Sequence, residues 1–262
     1  MASNYAEYFG IESIPAAAVF AALYAPFLAF YVYRSIRRTT YVFLILSLFC
    51  TIRITAFTMR ALLAGSTSAG GNFKLLIANQ VLAAVGFFSL LYSGYTLVLD
   101  RELLTGVKAG GDGIFGTVIR LVGDKRLYHV ELVAGVGLGI AGATQASASN
   151  PTNGMTLRKA STVVFLLLTV LLGFRTILLA RVEIMLTDPA REKGESKRSA
   201  LVLCLIATIL LVREVYATAT MGNLVKQGNE PLWYPLYALP EILAVALYAT
   251  PNLVPPRSEL PK

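Results

Sequence analysis

Residues 160–181 read ASTVVFLLLTVLLGFRTILLAR. Apart from Arg175 and the terminal Arg181, every position is apolar, small or a hydroxyl residue, and polar and apolar positions do not alternate. A bilayer core about 30 Å thick needs about 20 helical residues, so this stretch is long enough to cross one. Stretches of the same kind lie at 14–33, 41–63, 74–99, 127–145, 200–221 and 232–250. Transmembrane strands would be about ten residues long with alternating polarity, so helices are expected throughout. The chain reads as an all-α polytopic membrane protein: one seven-helix transmembrane domain over residues 1–262.

Composition agrees. The chain is 56% hydrophobic and only 15% charged, where a soluble domain carries about 25% charged residues. The net charge of +8 belongs at a membrane surface, because Lys and Arg gather on the cytoplasmic side of transmembrane helices; no nucleic-acid partner is expected. Of the 23 Lys and Arg, 15 fall in 34–40, 100–126, 181–199 and 251–262, and four fall in 1–13, 64–74, 146–159 and 222–231. That asymmetry predicts an outside N-terminus and a cytoplasmic C-terminus, in a plasma membrane or endomembrane. Trp233, Tyr234 and Tyr237 at one end of the last span, and Tyr5, Tyr8 and Phe9 before the first, suit the headgroup layer. Glu7 and Glu12 precede the first span with no Lys or Arg, unlike the basic start of a signal peptide, so the first span is expected to be retained. Pro26, Pro235 and Pro240 are expected to kink or loosen their helices.

The longest loops, 100–126 and 182–199, fall on the cytoplasmic side and are where a cytosolic protein could dock. The second is rich in charge and reads as solvated. In the first, Ile114, Phe115, Val118, Ile119 and Val122 have the spacing of a short surface helix, a plain loop being the alternative.

Several motifs carry less than they promise. G-x-G-x-x-G occurs at 111–116 and 137–142, but neither match sits in the strand–turn–helix context that a dinucleotide site requires. Ala134, Gly135, Gly139 and Gly142 instead have small-residue spacing that lets a neighbouring helix approach. Asp100-Arg101-Glu102 closes the third span as interfacial charges do. No lysine lies in 232–250, which excludes a retinal Schiff base there. Asn150-Pro151-Thr152 has proline where a glycosylation acceptor forbids it. Cys50 and Cys204 lie in apolar runs and read as small buried hydrophobes. One histidine, His129, is too few for bis-histidine haem, a carboxylate–histidine di-iron cluster or a His-rich zinc site; no metal or other cofactor is expected.

The ionisable residues inside the spans are the functional signal. Such groups cost roughly 2.5–3.5 kcal/mol or more in hydrocarbon unless paired or wetted. Arg53 and Arg60 are seven residues apart, hence on one helix face. Arg213, Glu214 and Glu241, with Asn79 and Gln80, fall with them in the outer half. Two clamps, Arg53–Glu241 and Arg60–Glu214, account for part of this set, but three arginines face two carboxylates. The set predicts a wet pocket for an anionic head group, held by an arginine fork, with an apolar tail among the Leu and Phe side chains. Glu131 and Arg175 fall in the cytoplasmic half and are expected to form a structural ion pair.

Several segments resemble an uncharacterised fungal family of seven-helix membrane proteins related to the RTA-like lipid-translocating-exporter family. The matching residues are the Arg53/Arg60 span, Asp100-Arg101-Glu102, Arg126-Leu127-Tyr128-His129, Thr156-Leu157-Arg158-Lys159-Ala160, Leu211-Val212-Arg213-Glu214-Val215-Tyr216 and Tyr237-Ala238-Leu239-Pro240-Glu241-Ile242. The loop between the third and fourth spans is longer than in the RTA-like pattern. The resemblance implies a seven-helix fold and a role with amphipathic lipids or toxic amphiphiles, and it supplies no catalytic residues.

Three functions remain open at this point. The first is binding or translocation of an amphipathic lipid-like or small anionic molecule, with membrane lipids as surroundings. The second is a seven-helix receptor acting through its cytoplasmic loops. The third is an intramembrane, cyclase-like enzyme with Glu131 or Glu241 as a buried acid. No spacing names a nucleophile, a metal set or a phosphate loop, so a non-enzymatic role leads.

Overall fold

In the computed structural model of the chain, Ser13 has an extended backbone and its side chain accepts a hydrogen bond from the Ala16 N–H. Pro15 occupies the first turn, where its missing N–H costs nothing. These residues start the first long helix. The structure describes residues 5–38, 40–105, 125–146, 151–186 and 193–255, and among them there is no strand. The helices are α1 (Tyr5–Tyr8), α2 (Ile14–Arg37), α3 (Tyr41–Gly65), α4 (Thr67–Gly70), α5 (Phe73–Thr105), α6 (Lys125–Ala146), α7 (Pro151–Leu186), α8 (Lys193–Thr220), α9 (Leu224–Gly228), α10 (Glu230–Trp233), a π-helical turn (Tyr234–Ala238) and α11 (Leu239–Tyr248).

Six of these helices, α2, α3, α5, α6, α7 and α8, are long and apolar enough to cross a membrane. Their outward faces are apolar as well. On α7, Val163, Leu167, Val170, Phe174 and Ile177 are exposed, a row at helical spacing that water would not tolerate and lipid would. The opposite face buries Phe165, Leu168, Thr169, Leu172, Thr176 and Leu179. The arrangement is that of a multi-pass membrane protein.

The expected seventh span, 232–250, differs in kind. Helix runs without a break from Glu230 to Tyr248, but as α10, the π turn and α11. The prolines explain this: each removes an N–H and crowds the carbonyl four residues back, and a π turn absorbs the mismatch. Pro235 lies within the turn and Pro240 just beyond it. Pro26, by contrast, sits inside an unbroken α2.

Helices α5, α7 and α8 extend beyond the spans read from hydropathy, to 33, 36 and 28 residues. The expected solvated loop 182–199 is therefore corrected in part, since α7 continues to Leu186 and α8 resumes at Lys193. Residues 106–124, with the expected surface helix around Arg120 and the 111–116 glycine motif, lie outside the described residues, as do 187–192.

Helix α2 packs on α3, α3 on α5, α6 on α7, α7 on α8, and α8 on α11. The core centres on Tyr24, Tyr31, Phe49, Phe87, Tyr95, Tyr128 and Tyr248. Two of the buried phenols reach a backbone acceptor on another helix. The Tyr31 hydroxyl donates to the Val245 carbonyl at 2.5 Å and that of Tyr248 to Leu90 at 3.4 Å. The small-residue face of α6 does what its spacing implies. A Cβ on Gly139 would sit 3.0 Å from the Ser161 Oγ, and one on Gly142 would sit 2.8 Å from the Gly154 carbonyl oxygen. Ser161 donates to the Gly135 carbonyl at 2.7 Å, stitching α7 to α6. Ala134 is exposed and takes no part. Cys50 is buried and Cys204 half-buried, both as free thiols.

Candidate functional site

Arg53 and Arg60, two turns apart on α3, leave the helix on its inner face and are 3% and 5% exposed. Arg53 Nη2 meets Glu241 Oε1 at 2.5 Å and donates to the Ala83 carbonyl at 3.2 Å. Gly86 makes room for its guanidinium: a Cβ there would lie 3.0 Å from Arg53 Cζ. Arg213 Nε donates to the same Glu241 oxygen at 3.1 Å. Its Nη1 pairs with Glu214 and its Nη2 donates to the Tyr237 hydroxyl. The rings of Phe87 and Tyr237 lie 3.8 and 3.9 Å from its Cζ, within cation–π range. The π turn supplies Tyr237 and leads directly into Glu241, so the proline-rich segment positions both partners of Arg213.

Arg60 corrects an expectation. It pairs not with Glu214 but with Glu230, Nη2 to Oε1 at 3.2 Å, and lies over the Trp233 ring at 4.0 Å. The Glu230 carboxylate also accepts the N–H groups of Glu12 and Ser13, at 3.2 and 2.8 Å. It thereby caps the start of α2, where the helix dipole favours negative charge. Arg53, Arg60 and Arg213 thus face Glu214, Glu230 and Glu241, three against three. The unmatched arginine expected in this set does not exist, because Glu230 lies just outside the span boundary drawn at 232.

Beside this neutral cluster is a cavity of about 180 Å³. Of the expected ligand residues, Arg60, Asn79, Gln80, Arg213 and Glu214 line it, while Arg53 and Glu241 do not. The structure adds Arg158, Gln227 and Tyr237, with Phe9 and Ile11 from the N-terminal segment. Arg158 is half-buried, and its hydrogen bond is to the Gln227 side-chain oxygen at 3.4 Å. Among the described residues it meets no carboxylate. The half-buried amides of Asn79 and Gln80 make no hydrogen bond to other described residues, and the buried Arg60 Nε has no acceptor. The cavity therefore presents one cation without a carboxylate beside it, Arg158, and the amide donors of Asn79 and Gln80. Arg158 reads in the sequence as an outer-loop charge. Pro151 at the first helical position is the signal that α7 begins early and carries Arg158 two turns inside.

The inner group is wired differently from expectation. The Glu131–Arg175 pair is not formed: Arg175 Nη1 meets Glu102 Oε2 at 3.4 Å, and Glu131 is exposed. Arg175 faces α5, its Cζ 5.6 Å from the Tyr95 ring. Helix α6 turns Tyr128 and Leu132 inward, leaving Glu131 at the edge of that face. Arg101 Nε meets Glu183 Oε1 at 3.0 Å and its Nη1 donates to the Leu253 carbonyl at 3.2 Å. The Tyr41 hydroxyl donates to Asp100. The triplet Asp100-Arg101-Glu102 thus ties α5 to α3, to α7 and to the turn after α11. Among the described residues no group of three His, Cys, Asp or Glu side chains could hold a metal ion.

The chain belongs to the family described as domain of unknown function (DUF7702), whose model matches residues 16–250. That range takes in nearly all of the long helices, α2 starting two residues before it, and every arginine and carboxylate of the three-against-three cluster. No curated protein and no solved structure matches the chain.

Proposed function

We propose that this member of the DUF7702 family spans its membrane seven times and binds or moves an anionic, lipid-like or small molecule through the cavity beside Arg158. Two features support the topology. The run from Glu230 to Tyr248 has 19 residues, which at about 1.5 Å per residue approaches the thickness of a hydrocarbon core. The Lys and Arg asymmetry then puts the N-terminus outside and the C-terminus in the cytoplasm, with the cavity in the outer half.

The observation that carries the function is the division of charge. Six ionised groups cancel one another in the cluster, whereas Arg158, Asn79 and Gln80 line open space with donors unspent. An anion completes that set; a cation does not. The volume limits the occupant. Drug-sized ligands occupy cavities of about 300–1,000 Å³, so about 180 Å³ holds a head group or a small anion, not a whole amphiphile. The resemblance to the RTA-like exporters fits an amphipathic ligand. The enzyme reading gains nothing, because neither Glu131 nor Glu241 lines the cavity.

The chain contains one tryptophan, Trp233, and it lines the cavity. Titration of the purified protein with methyl phosphate should change its fluorescence. Arg158→Gln should abolish that response while leaving thermal unfolding near wild type. An unchanged response in Arg158→Gln would sink the proposal.

A further inference from the structure

We infer that Gln227 sets the charge selectivity of the cavity: its side-chain oxygen orients the Arg158 guanidinium without cancelling the charge, and leaves it one complete fork for a carboxylate or phosphate head. The inference rests on the function proposed above and names the residue that makes its site selective for anions.

Both side chains are held from elsewhere in the fold. The Arg158 stem runs past α6 where only glycine fits, since a Cβ on Gly142 would lie 2.7 Å from Arg158 Cγ. Gln227 belongs to α9, the short helix that follows α8. The residues on either side of it are pinned. The Tyr216 hydroxyl of α8 donates to the Lys226 carbonyl at 3.4 Å, and Asn223 Oδ1 accepts the Lys226 N–H at 3.1 Å. Gly228 meets the N-terminal segment so closely that a Cβ on it would lie 1.7 Å from the Phe9 carbonyl oxygen. The Gln227 amide therefore reaches Arg158 from a fixed base.

A guanidinium donates and never accepts, so the amide must turn its oxygen towards Arg158 Nη2, 3.4 Å away. The N–H groups of an arginine form two forks, one of Nε with Nη2 and one of Nη1 with Nη2, each using a different Nη2 hydrogen. A single bond to Nη2 occupies one fork and leaves the other whole. Such a fork matches the paired oxygens of a carboxylate or phosphate. The Gln227 amide nitrogen keeps its own two N–H donors, which no described residue accepts. A carboxylate in place of the amide would hold Arg158 at least as firmly, but it would cancel the charge and repel an incoming anion. The other two arginines that line the cavity, Arg60 and Arg213, have such carboxylates in Glu230 and Glu214. Gln227 supplies the same geometry and withholds the charge.

The test titrates the full chain in phosphatidylcholine nanodiscs with methyl phosphate at neutral pH, and Trp233 fluorescence reports occupancy. Gln227→Met keeps the length of the side chain and loses the orienting oxygen. Gln227→Glu keeps both and adds a negative charge; Gln227→Asp carries the same charge should that variant misfold. Wild type should bind most tightly and Gln227→Met more weakly. Gln227→Glu should be weaker again by about tenfold, because a charge-assisted bond to Arg158 then competes with the ligand. A merely structural role predicts the opposite ranking, since Glu copies Gln more closely than Met does. Binding by Gln227→Met no tighter than by the acidic variant would overturn the charge role and leave the anion site standing. No response in the wild type would overturn the anion site itself, and the role of Gln227 with it.

Discussion

Glu241 is the carboxylate on which two arginines converge, and its removal should be the most damaging single change in the outer cluster. It is 1% exposed, 2.5 Å from Arg53 and 3.1 Å from Arg213. Glu241→Gln preserves shape and one acceptor oxygen but deletes the charge. The two arginines then fare differently. Arg213 keeps Glu214 and Tyr237, whereas Arg53 keeps no carboxylate, only neutral contacts such as the Ala83 carbonyl at 3.2 Å and the Phe49 ring at 5.3 Å. Removing one partner from a buried ion pair costs about 3–5 kcal/mol, because a charge is left without compensation. Total stabilities run to about 5–15 kcal/mol, so the variant stays folded but strongly destabilised. Most of the loss belongs to Arg53, so adding Arg53→Met should restore much of it. Thermal or denaturant unfolding of the four proteins in mild detergent completes the double-mutant cycle. Wild-type stability in Glu241→Gln, or simple addition of the two losses in the double variant, would refute the reasoning.

Two further outcomes follow from the same wiring. Gly86→Ala places a Cβ 3.0 Å from Arg53 Cζ, so the buried guanidinium must shift against its partners. It should cost about 1–3 kcal/mol, as overpacking does, and far less where Arg53 is already Met. Glu230→Gln weakens the acceptor shared by Arg60, Glu12 and Ser13. It should cost about 1 kcal/mol, as a lost cap does, and hydrogen exchange at the first turn of α2 should speed up. Unchanged protection there would show that the carboxylate is not the cap.

Much of this is legible in the chain, and the misses have a common cause. Hydropathy finds the helix centres, and seven-residue spacing places Arg53 and Arg60 on one face. The charge of Glu241 in an apolar run marks it as someone's partner. The glycines at 135, 139 and 142 announce a close helix contact, and α7 makes it. Hydropathy does not find helix ends, since a polar turn can extend a helix beyond the hydrocarbon. Glu230 and Arg158 both lie in such extensions, at the start of the last helical run and two turns into α7. Read as loop residues, they leave one anion and one cation out of the set, and the imbalance falls on the wrong arginine. The rotation of α6 is also beyond pattern: Glu131 is close in angle to its buried face, and only packing decides that it stays outside.

There is a physical reason why the arginine without a carboxylate is Arg158 and not one of the other three. An arginine cannot shed its charge in a protein, so one held deep in the bundle needs a permanent carboxylate. Arg53 and Arg213 share Glu241, and Arg213 also has Glu214 beside it on its own helix. Arg60, nearer the end of α3, takes its own from Glu230, which also holds the start of α2. Arg158 is only two turns from the beginning of its helix, half-buried and beside open space. Water entering the cavity, together with the Gln227 side chain, offsets part of the cost of leaving it without a carboxylate. A carboxylate built beside it would cancel the one field in the cavity able to select an anion. The cluster holds the helices in place, and Arg158 is the charge that this scaffold leaves available.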